Sequence, residues 1–129
     1  MTNLLFANSA LLLEQAGFHV EFRHDIKSGL ERFNEAKQNA KGFDLVLHDL
    51  TLPPGFKPED SLEKIHCYNN VPVIVLTAHS DRSYALKAIA QGAWDFIPKP
   101  IDPELLKIII QRALEKKQLN IRALWCDPS

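Results

Sequence analysis

Three residues of this sequence have side chains suited to phosphoryl chemistry, and each follows an apolar run of the kind that forms a buried strand. Asp49 ends the run FDLVLHD, Thr77 ends VPVIVLT, and Lys99 ends WDFIPK. A carboxylate can accept a phosphoryl group, a hydroxyl can donate a hydrogen bond to a phosphoryl oxygen, and an ammonium group can neutralise another oxygen. Taken singly, Lys99 is an ordinary ion-pair partner and Thr77 a simple strand end. Their common placement favours a phosphoryl-accepting site.

Strand-like and helix-like segments alternate along the chain and would position these three residues. The predicted strands are HVEFR (19–23), FDLVLHD (43–49), VPVIVLTA (71–78) and WDFIP (94–98). The predicted helices are 25–37, a segment that starts at Glu59 or Asp60, 82–91 and 103–119. This alternation predicts βαβ units around a parallel sheet. Ligand chemistry in such sheets gathers at the carboxyl ends of the strands, where Asp49, Thr77 and Lys99 fall.

Length and composition indicate one ordinary globular domain. The chain has 129 residues, of which 46% are hydrophobic and 24% charged, and its formal net charge is −1. This charge gives no reason to expect direct nucleic-acid binding, and the apolar runs are too short to span a membrane. Cys67 and Cys126 have no metal-like spacing. We therefore expect a cytoplasmic protein in a reducing compartment.

The chain resembles the receiver domains of two-component response regulators, which have the CheY-like fold. The resemblance rests on FDLVLHDLTLP, VPVIVLTA, GAWDFIPKPID and LLLEQAGFHV, and it extends from about Asn3 to Leu119. It implies a flavodoxin-like α/β fold in three layers, with a receiver domain over 1–120 and a C-terminal tail over 121–129. It also implies a phosphoprotein of phosphorelay signal transduction, not an enzyme. LPPGF and GAWDFIPKPID are similar to the receivers of NtrC-like transcription regulators.

The resemblance also implies roles for single residues. Asp49 would be the phosphoacceptor, Thr77 the switch hydroxyl, Lys99 the phosphate-binding lysine and Phe96 the aromatic switch residue, and the Lys99–Pro100 bond is usually cis in the family. His48 occupies a position where the family more often has an aliphatic residue. Its side chain either tunes the site or is simply tolerated at the end of the strand.

Partners follow from the same resemblance. A histidine kinase or a phosphotransfer protein would supply the phosphoryl group. Residues 81–91, 94–97 and 103–119 would form a face for partner binding and for self-association as a homodimer, with Tyr84 and Trp94 as aromatic contacts.

The sequence departs from the family pattern at its N-terminus. A typical receiver opens with an apolar strand that ends in two acids, which hold Mg²⁺, whereas the first acidic residue here is Glu14. In one alignment Asn3 falls just after the acid pair, TNLLFANSALLLEQAG is the first helix, and the first strand is missing. In the other, NLLFA is that strand and SALLLEQA a shortened helix, with a crossover that barely reaches the necessary length. Neither alignment restores the acids.

This deficit leaves two functions open. Asp49 and a backbone carbonyl near Thr51 would form only a weak Mg²⁺ site, because Mg²⁺ is usually held by one or two carboxylates with waters and phosphate. The chain is then either a receiver phosphorylated at Asp49 or a pseudo-receiver that binds partners without phosphorylation. A phosphatase of the haloacid-dehalogenase type would need an Asp in place of Thr51. A late start of the reading frame, a partner or second copy, or a rearranged fold would account for the missing strand.

Overall fold

Strands and helices alternate along the part of the chain that the structure, a computed structural model, describes: residues 11, 13–23, 26–39, 42–49, 63–68, 71–77, 82–98, 101–114 and 121–126. The strands are β1 (Phe18–Arg23), β2 (Leu45–Asp49), β3 (Val73–Thr77), β4 (Asp95–Pro98) and β5 (Ile121–Cys126). The helices are α1 (Ile26–Gln38), α2 (Arg82–Ala90) and α3 (Pro103–Ala113), with a 3-10 helix at Lys64–Cys67. Residues 11 and 13–15 are also helical.

The five strands form one sheet in the order β1-β5-β2-β3-β4, and every neighbouring pair is parallel. This confirms the predicted α/β fold with a central parallel sheet. The predicted C-terminal tail has to be corrected, because residues 121–126 form β5, which pairs with β1 on one side and β2 on the other. The chain therefore fills the expected gap in the sheet with its own C-terminal strand.

The core lies in two layers because alternate residues of the central strands face opposite sides of the sheet. Leu45 and Leu47 of β2 belong to one buried cluster, with Leu106 and Ile110 of α3. The second cluster contains Val46, together with residues of α1, α2 and the 3-10 helix. β5 contributes to both, since Ala123 packs in the first cluster and Leu124 in the second.

The ends of two helices follow signals in the sequence. Gly92 has a φ of 114°, a conformation that favours glycine, and it follows the last turn of α2. At the start of α3 the Asp102 side chain accepts a hydrogen bond from the Glu104 N–H at 3.0 Å, and Pro103 occupies the first helical position. These residues set the end of α2 and the start of α3, the helices that precede and follow β4 in the sequence.

Some predicted elements differ in extent or lie outside the described residues. The segment predicted to start at Glu59 or Asp60 is described only from Glu63 onward, and Lys64–Cys67 in it form the 3-10 helix. The last helix ends at Ala113 rather than 119, and residues 115–120 are not described. Both N-terminal alignments make residues 9–16 helical and differ over the residues before Ser9, which lie outside the described residues. No helix in the described ranges is long and apolar enough to cross a membrane.

Candidate phosphoryl site

Asp49 lies at the carboxyl end of β2, in the middle of the sheet. The strand is apolar up to His48 and is buried along its whole length, since helices cover both faces of the sheet. The Asp49 side chain is 0% exposed. Burying a carboxylate carries a large free-energy cost unless hydrogen bonds or a cation compensate it. A carboxylate in this position indicates a site built to interact with charge.

Thr77 lies at the carboxyl end of the neighbouring strand, β3. The register places Asp49 opposite Leu76, so Thr77 is one position further along the next strand. Its side chain is 2% exposed. In the described part of the chain, the buried polar or charged side chains are His48, Asp49 and Thr77. Buried polarity is thus concentrated at the carboxyl end of β2 and β3.

β4 continues this arrangement toward the predicted lysine. Thr77 pairs with Pro98, the last residue of β4, and Lys99 is the next residue in the sequence. Lys99 and Pro100 lie outside the described residues, as does Thr51. The structure therefore brings Asp49 and Thr77 to neighbouring strand ends and leaves the placement of Lys99 and Thr51 as predictions.

Phe96 lies in β4, opposite Val75 of β3. It is half-buried and, like Tyr84, packs against the cluster that contains Val75. Its backbone N–H donates to the Asp95 carboxylate at 2.8 Å. The role of Phe96 as the aromatic switch residue, which the resemblance implied, stays a prediction.

His48 is a packing residue on the face of the sheet that carries the second core cluster. Its ring is fully buried and lies edge-on to Tyr68, with ring centroids 6.0 Å apart and an interplanar angle of 67°. Tyr68 in turn packs edge-on against Phe33 of α1, at 5.2 Å. Because adjacent strand residues point to opposite faces, these contacts indicate that His48 supports the fold below the site, and they favour the plainer of its two interpretations.

Two groups were predicted to hold Mg²⁺, the Asp49 carboxylate and the Thr51 backbone carbonyl, and of these two Asp49 is among the described residues. Its carboxylate oxygens are of the type that Mg²⁺ prefers. Elsewhere in the described ranges, no cluster of three or more His, Cys, Asp or Glu side chains could hold a metal ion.

β5 was not predicted from the sequence. The run IRALWC is mostly apolar and is followed directly by Asp127, as DLVLH is followed by Asp49. An apolar run followed by an aspartate is therefore the sequence pattern from which β5 could have been predicted. The pattern is difficult to recognise because β5 is far from β1 and β2 in the sequence.

Comparison with known proteins agrees with this fold. Residues 3–111 match the family model described as the response regulator receiver domain, and β5 lies outside the matched range. The two-component response regulator ARR10 of Arabidopsis thaliana is 37% identical over 111 residues, which are 84% of this chain and 19% of that protein. The transcriptional regulatory protein PgtA of Salmonella typhimurium is 35% identical over 90% of this chain and 27% of its own length. The chain thus spans about a fifth to a quarter of these relatives.

Solved structures give the same result. The crystal structure of the receiver domain of NtrX from Brucella abortus superimposes with a TM-score of 0.71 at 28% identity, and covers 85% of this chain and 89% of that one. A CheY-like receiver domain protein from Methanospirillum hungatei has a TM-score of 0.67 at 25% identity, over 87% and 86% of the two chains.

Proposed function

We propose that this chain, which belongs to the family of response regulator receiver domains, accepts a phosphoryl group on Asp49 in a two-component phosphorelay. One observation carries the proposal: a fully buried carboxylate ends a central strand, and a buried hydroxyl, Thr77, ends the strand beside it. Aspartate is a competent phosphoryl acceptor, and a hydroxyl nearby can hold the transferred group.

The transfer exchanges one bond to phosphorus for another. An Asp49 carboxylate oxygen forms a bond to the phosphorus atom, while the bond between phosphorus and a ring nitrogen of a donor phosphohistidine breaks. The bonding electron pair stays with the nitrogen, so the donor histidine leaves with its ring nitrogen free to take up a proton. The Thr77 hydroxyl donates a hydrogen bond to one phosphoryl oxygen, and the Lys99 ammonium neutralises another.

Receiver domains typically bind Mg²⁺ at this position, where the bound ion supplies charge neutralisation. In this chain the Asp49 carboxylate would hold it, with the backbone carbonyl of Thr51 as the second predicted ligand. Asp49 also accepts the phosphoryl group, which then brings further oxygens to the site.

Phosphorylation would act on partners by shifting a two-state equilibrium. The phosphoryl group adds a charge of about −1.5 to −2 at the carboxyl end of the sheet. Thr77 moves toward this charge, and Phe96 follows into the space beside α2. The change reaches the face formed by α2, β4 and α3, to which a partner or a second copy binds. The donor would be a histidine kinase or a phosphotransfer protein.

Intact-mass measurement tests the proposal. The purified chain is incubated with acetyl phosphate and MgCl₂ beside Asp49→Asn and the control Asp102→Asn. Asparagine caps a helix about as well as aspartate, so the control changes the charge and keeps the start of α3. We expect the wild type and D102N to gain the mass of one phosphoryl group and D49N to gain none.

A different result would favour a pseudo-receiver or another acceptor residue. If the folded wild type takes up no phosphoryl group, either from acetyl phosphate or from a phosphorylated histidine-containing donor, the chain is a pseudo-receiver. If D49N is labelled like the wild type, the acceptor is another residue.

A further inference from the structure

A cavity of about 370 Å³ opens at the amino-terminal end of the sheet. It lies where β3 and β4 begin, and residues of the 3-10 helix and of the turn after α2 also line it. Asp49 and Thr77 lie at the carboxyl ends of their strands, and the strands are parallel, so the cavity and the phosphoryl site are at opposite ends of the sheet. The volume of the cavity is within the range of sites for small organic ligands.

Most of the cavity wall is apolar. Its aliphatic residues are Ile65, Val71, Pro72 and Val73. Trp94 also lines the cavity, with 63% of the residue exposed, and its backbone N–H donates to the Val73 carbonyl at 2.8 Å. Because this bond fixes Trp94 beside the start of β3, the exposed indole offers a flat surface on which a second ring can stack.

Gly92 leaves space on one side of the cavity. Its φ of 114° is a conformation that favours glycine, and a Cβ atom at this position would meet no atom within 4 Å. The backbone of the turn after α2 therefore borders the cavity without a side chain to fill it.

Two polar side chains meet at another part of the wall. The His66 ring nitrogen Nε2 is hydrogen-bonded to Oε1 of Gln91. Since an amide oxygen only accepts, His66 donates this bond, and the Gln91 amide can still donate through its NH₂ group and accept through its second lone pair. No carboxylate or ammonium group is among the described residues that line the cavity. The polar part of a ligand that fits here is therefore neutral and carries a donor beside an acceptor.

We propose that this cavity binds a small, neutral aromatic molecule whose ring carries a hydrogen-bond donor beside an acceptor, as an aromatic amide does. The ring stacks on Trp94 and packs against the aliphatic wall, while the polar group pairs with the amide of Gln91. A charged ligand would lose its hydration without gaining a partner of opposite charge in the cavity wall. The site is separate from Asp49, so its occupation requires no phosphoryl group.

Binding of benzamide tests this assignment. Benzamide has a flat ring with one amide, and cyclohexanecarboxamide is the matched control because it carries the same amide on a ring that is not flat. The full chain, labelled with ¹⁵N, is titrated with each compound to about 20 mM, since so small a ligand binds weakly. We expect saturable shifts of the Gly92 and Val73 amide signals with benzamide, and binding of the control compound that is weaker by about fivefold or more, because a saturated ring does not stack on an indole.

Variants of the cavity wall identify the site. Trp94→Ala should weaken benzamide binding by about tenfold, as expected when a stacking platform is removed, whereas Trp94→Phe keeps a ring and should retain most of the affinity. Leu86→Ala, at an exposed side chain outside the cavity, is the control. Val71→Phe leaves Trp94 in place and fills the cavity from the half-buried Val71, so folded V71F should not bind benzamide.

Three results would overturn the inference: shifts that do not saturate or that lie away from the cavity, equal binding of the two compounds, or wild-type affinity in folded W94A or folded V71F. The titrations contain no phosphoryl donor. Their outcome is therefore independent of whether Asp49 accepts a phosphoryl group.

Discussion

At the residue scale, the chemistry of this chain depends on polar groups that the fold buries at strand ends. Asp49 and Thr77 are surrounded by apolar strand residues, where the effective dielectric constant is low and charge interactions are strong. A phosphoryl group on Asp49 would therefore act strongly on the nearby hydroxyl.

Thr77 can be tested by comparing two substitutions. We expect Thr77→Ala to accept the phosphoryl group but to lose the coupled change in fluorescence, because no hydroxyl remains to follow the phosphoryl oxygen. Thr77→Ser should retain the change. The measurement is tryptophan fluorescence with acetyl phosphate, followed by intact mass, with Trp94→Phe as the control that assigns the signal to the 63% exposed Trp94. A full fluorescence change in T77A would contradict this role.

Glu21 gives a prediction about pH. The hydrogen bond from Arg32, at 2.9 Å, together with Arg122 at 2.8 Å, holds the pKa of Glu21 below its usual value. A lowered pKa in the folded state stabilises the protein above the unfolded pKa of about 4.3, and this stabilisation is lost as the pH falls through the folded pKa.

We expect Glu21→Gln to lower the free energy of unfolding at pH 7 by about 1 kcal/mol, a small value because such partly exposed ion pairs are weak. The difference between E21Q and the wild type should shrink as the pH falls below about 4. Urea unfolding at several pH values measures it, with the exposed Glu31→Gln as control. A difference that stays constant down to pH 2 would contradict the ion-pair account.

At the element scale, β5 determines whether the sheet is complete. It pairs with β1 over six residues and with β2 over four. Without it, the facing edges of β1 and of the buried strand β2 would lack backbone partners, which proteins otherwise avoid.

Leu124 tests the packing of β5. We expect Leu124→Ala to lower the free energy of unfolding by about 2–5 kcal/mol, because the side chain is fully buried. The control Leu86→Ala, at a side chain that is 60% exposed, should cost below about 1 kcal/mol. Equal and small effects in denaturant unfolding would mean that residues 121–126 do not pack in the core.

The sequence predicted the four strands β1 to β4 from short runs rich in apolar residues, and helices α1 to α3 from apolar residues at helical spacing and, for α3, from the start signal of Pro103. It predicted Asp49 and Thr77 as strand-end residues for the same reason. β5 was not predicted, because pairing between residues 18–23 and 121–126 is a long-range choice that no local period encodes. The packing of His48 on Tyr68 depends likewise on contacts distant in sequence.

At the scale of the whole molecule, the part of the chain that forms α2, β4 and α3 carries exposed apolar side chains. They lie on α2, before β4 and on α3: Leu86, Ile89, Trp94, Leu105 and Ile108. Exposed apolar patches of this kind mark interaction sites. The self-association predicted for residues 81–119 would use this face.

The exposed apolar side chains of this face lead to a prediction about the self-association of the phosphorylated chain in solution. We expect Leu86→Glu to weaken its self-association by about tenfold, since a charge would be buried in an apolar contact. Leu11→Glu, at an exposed leucine outside this face, is the control. Sedimentation velocity at several concentrations measures both. Loss of association in L11E but not in L86E would place the contact elsewhere.

The claim on which the rest of the account depends is that β5 lies between β1 and β2, with its carboxyl end beside Asp49. Peptide-resolved hydrogen exchange on the full chain tests it most directly, because amides in a central strand exchange only when the protein opens globally. We predict that the amides of residues 122–126 exchange as slowly as the amides of β3. Rapid exchange of residues 122–126 in a chain whose β3 amides stay protected would contradict it.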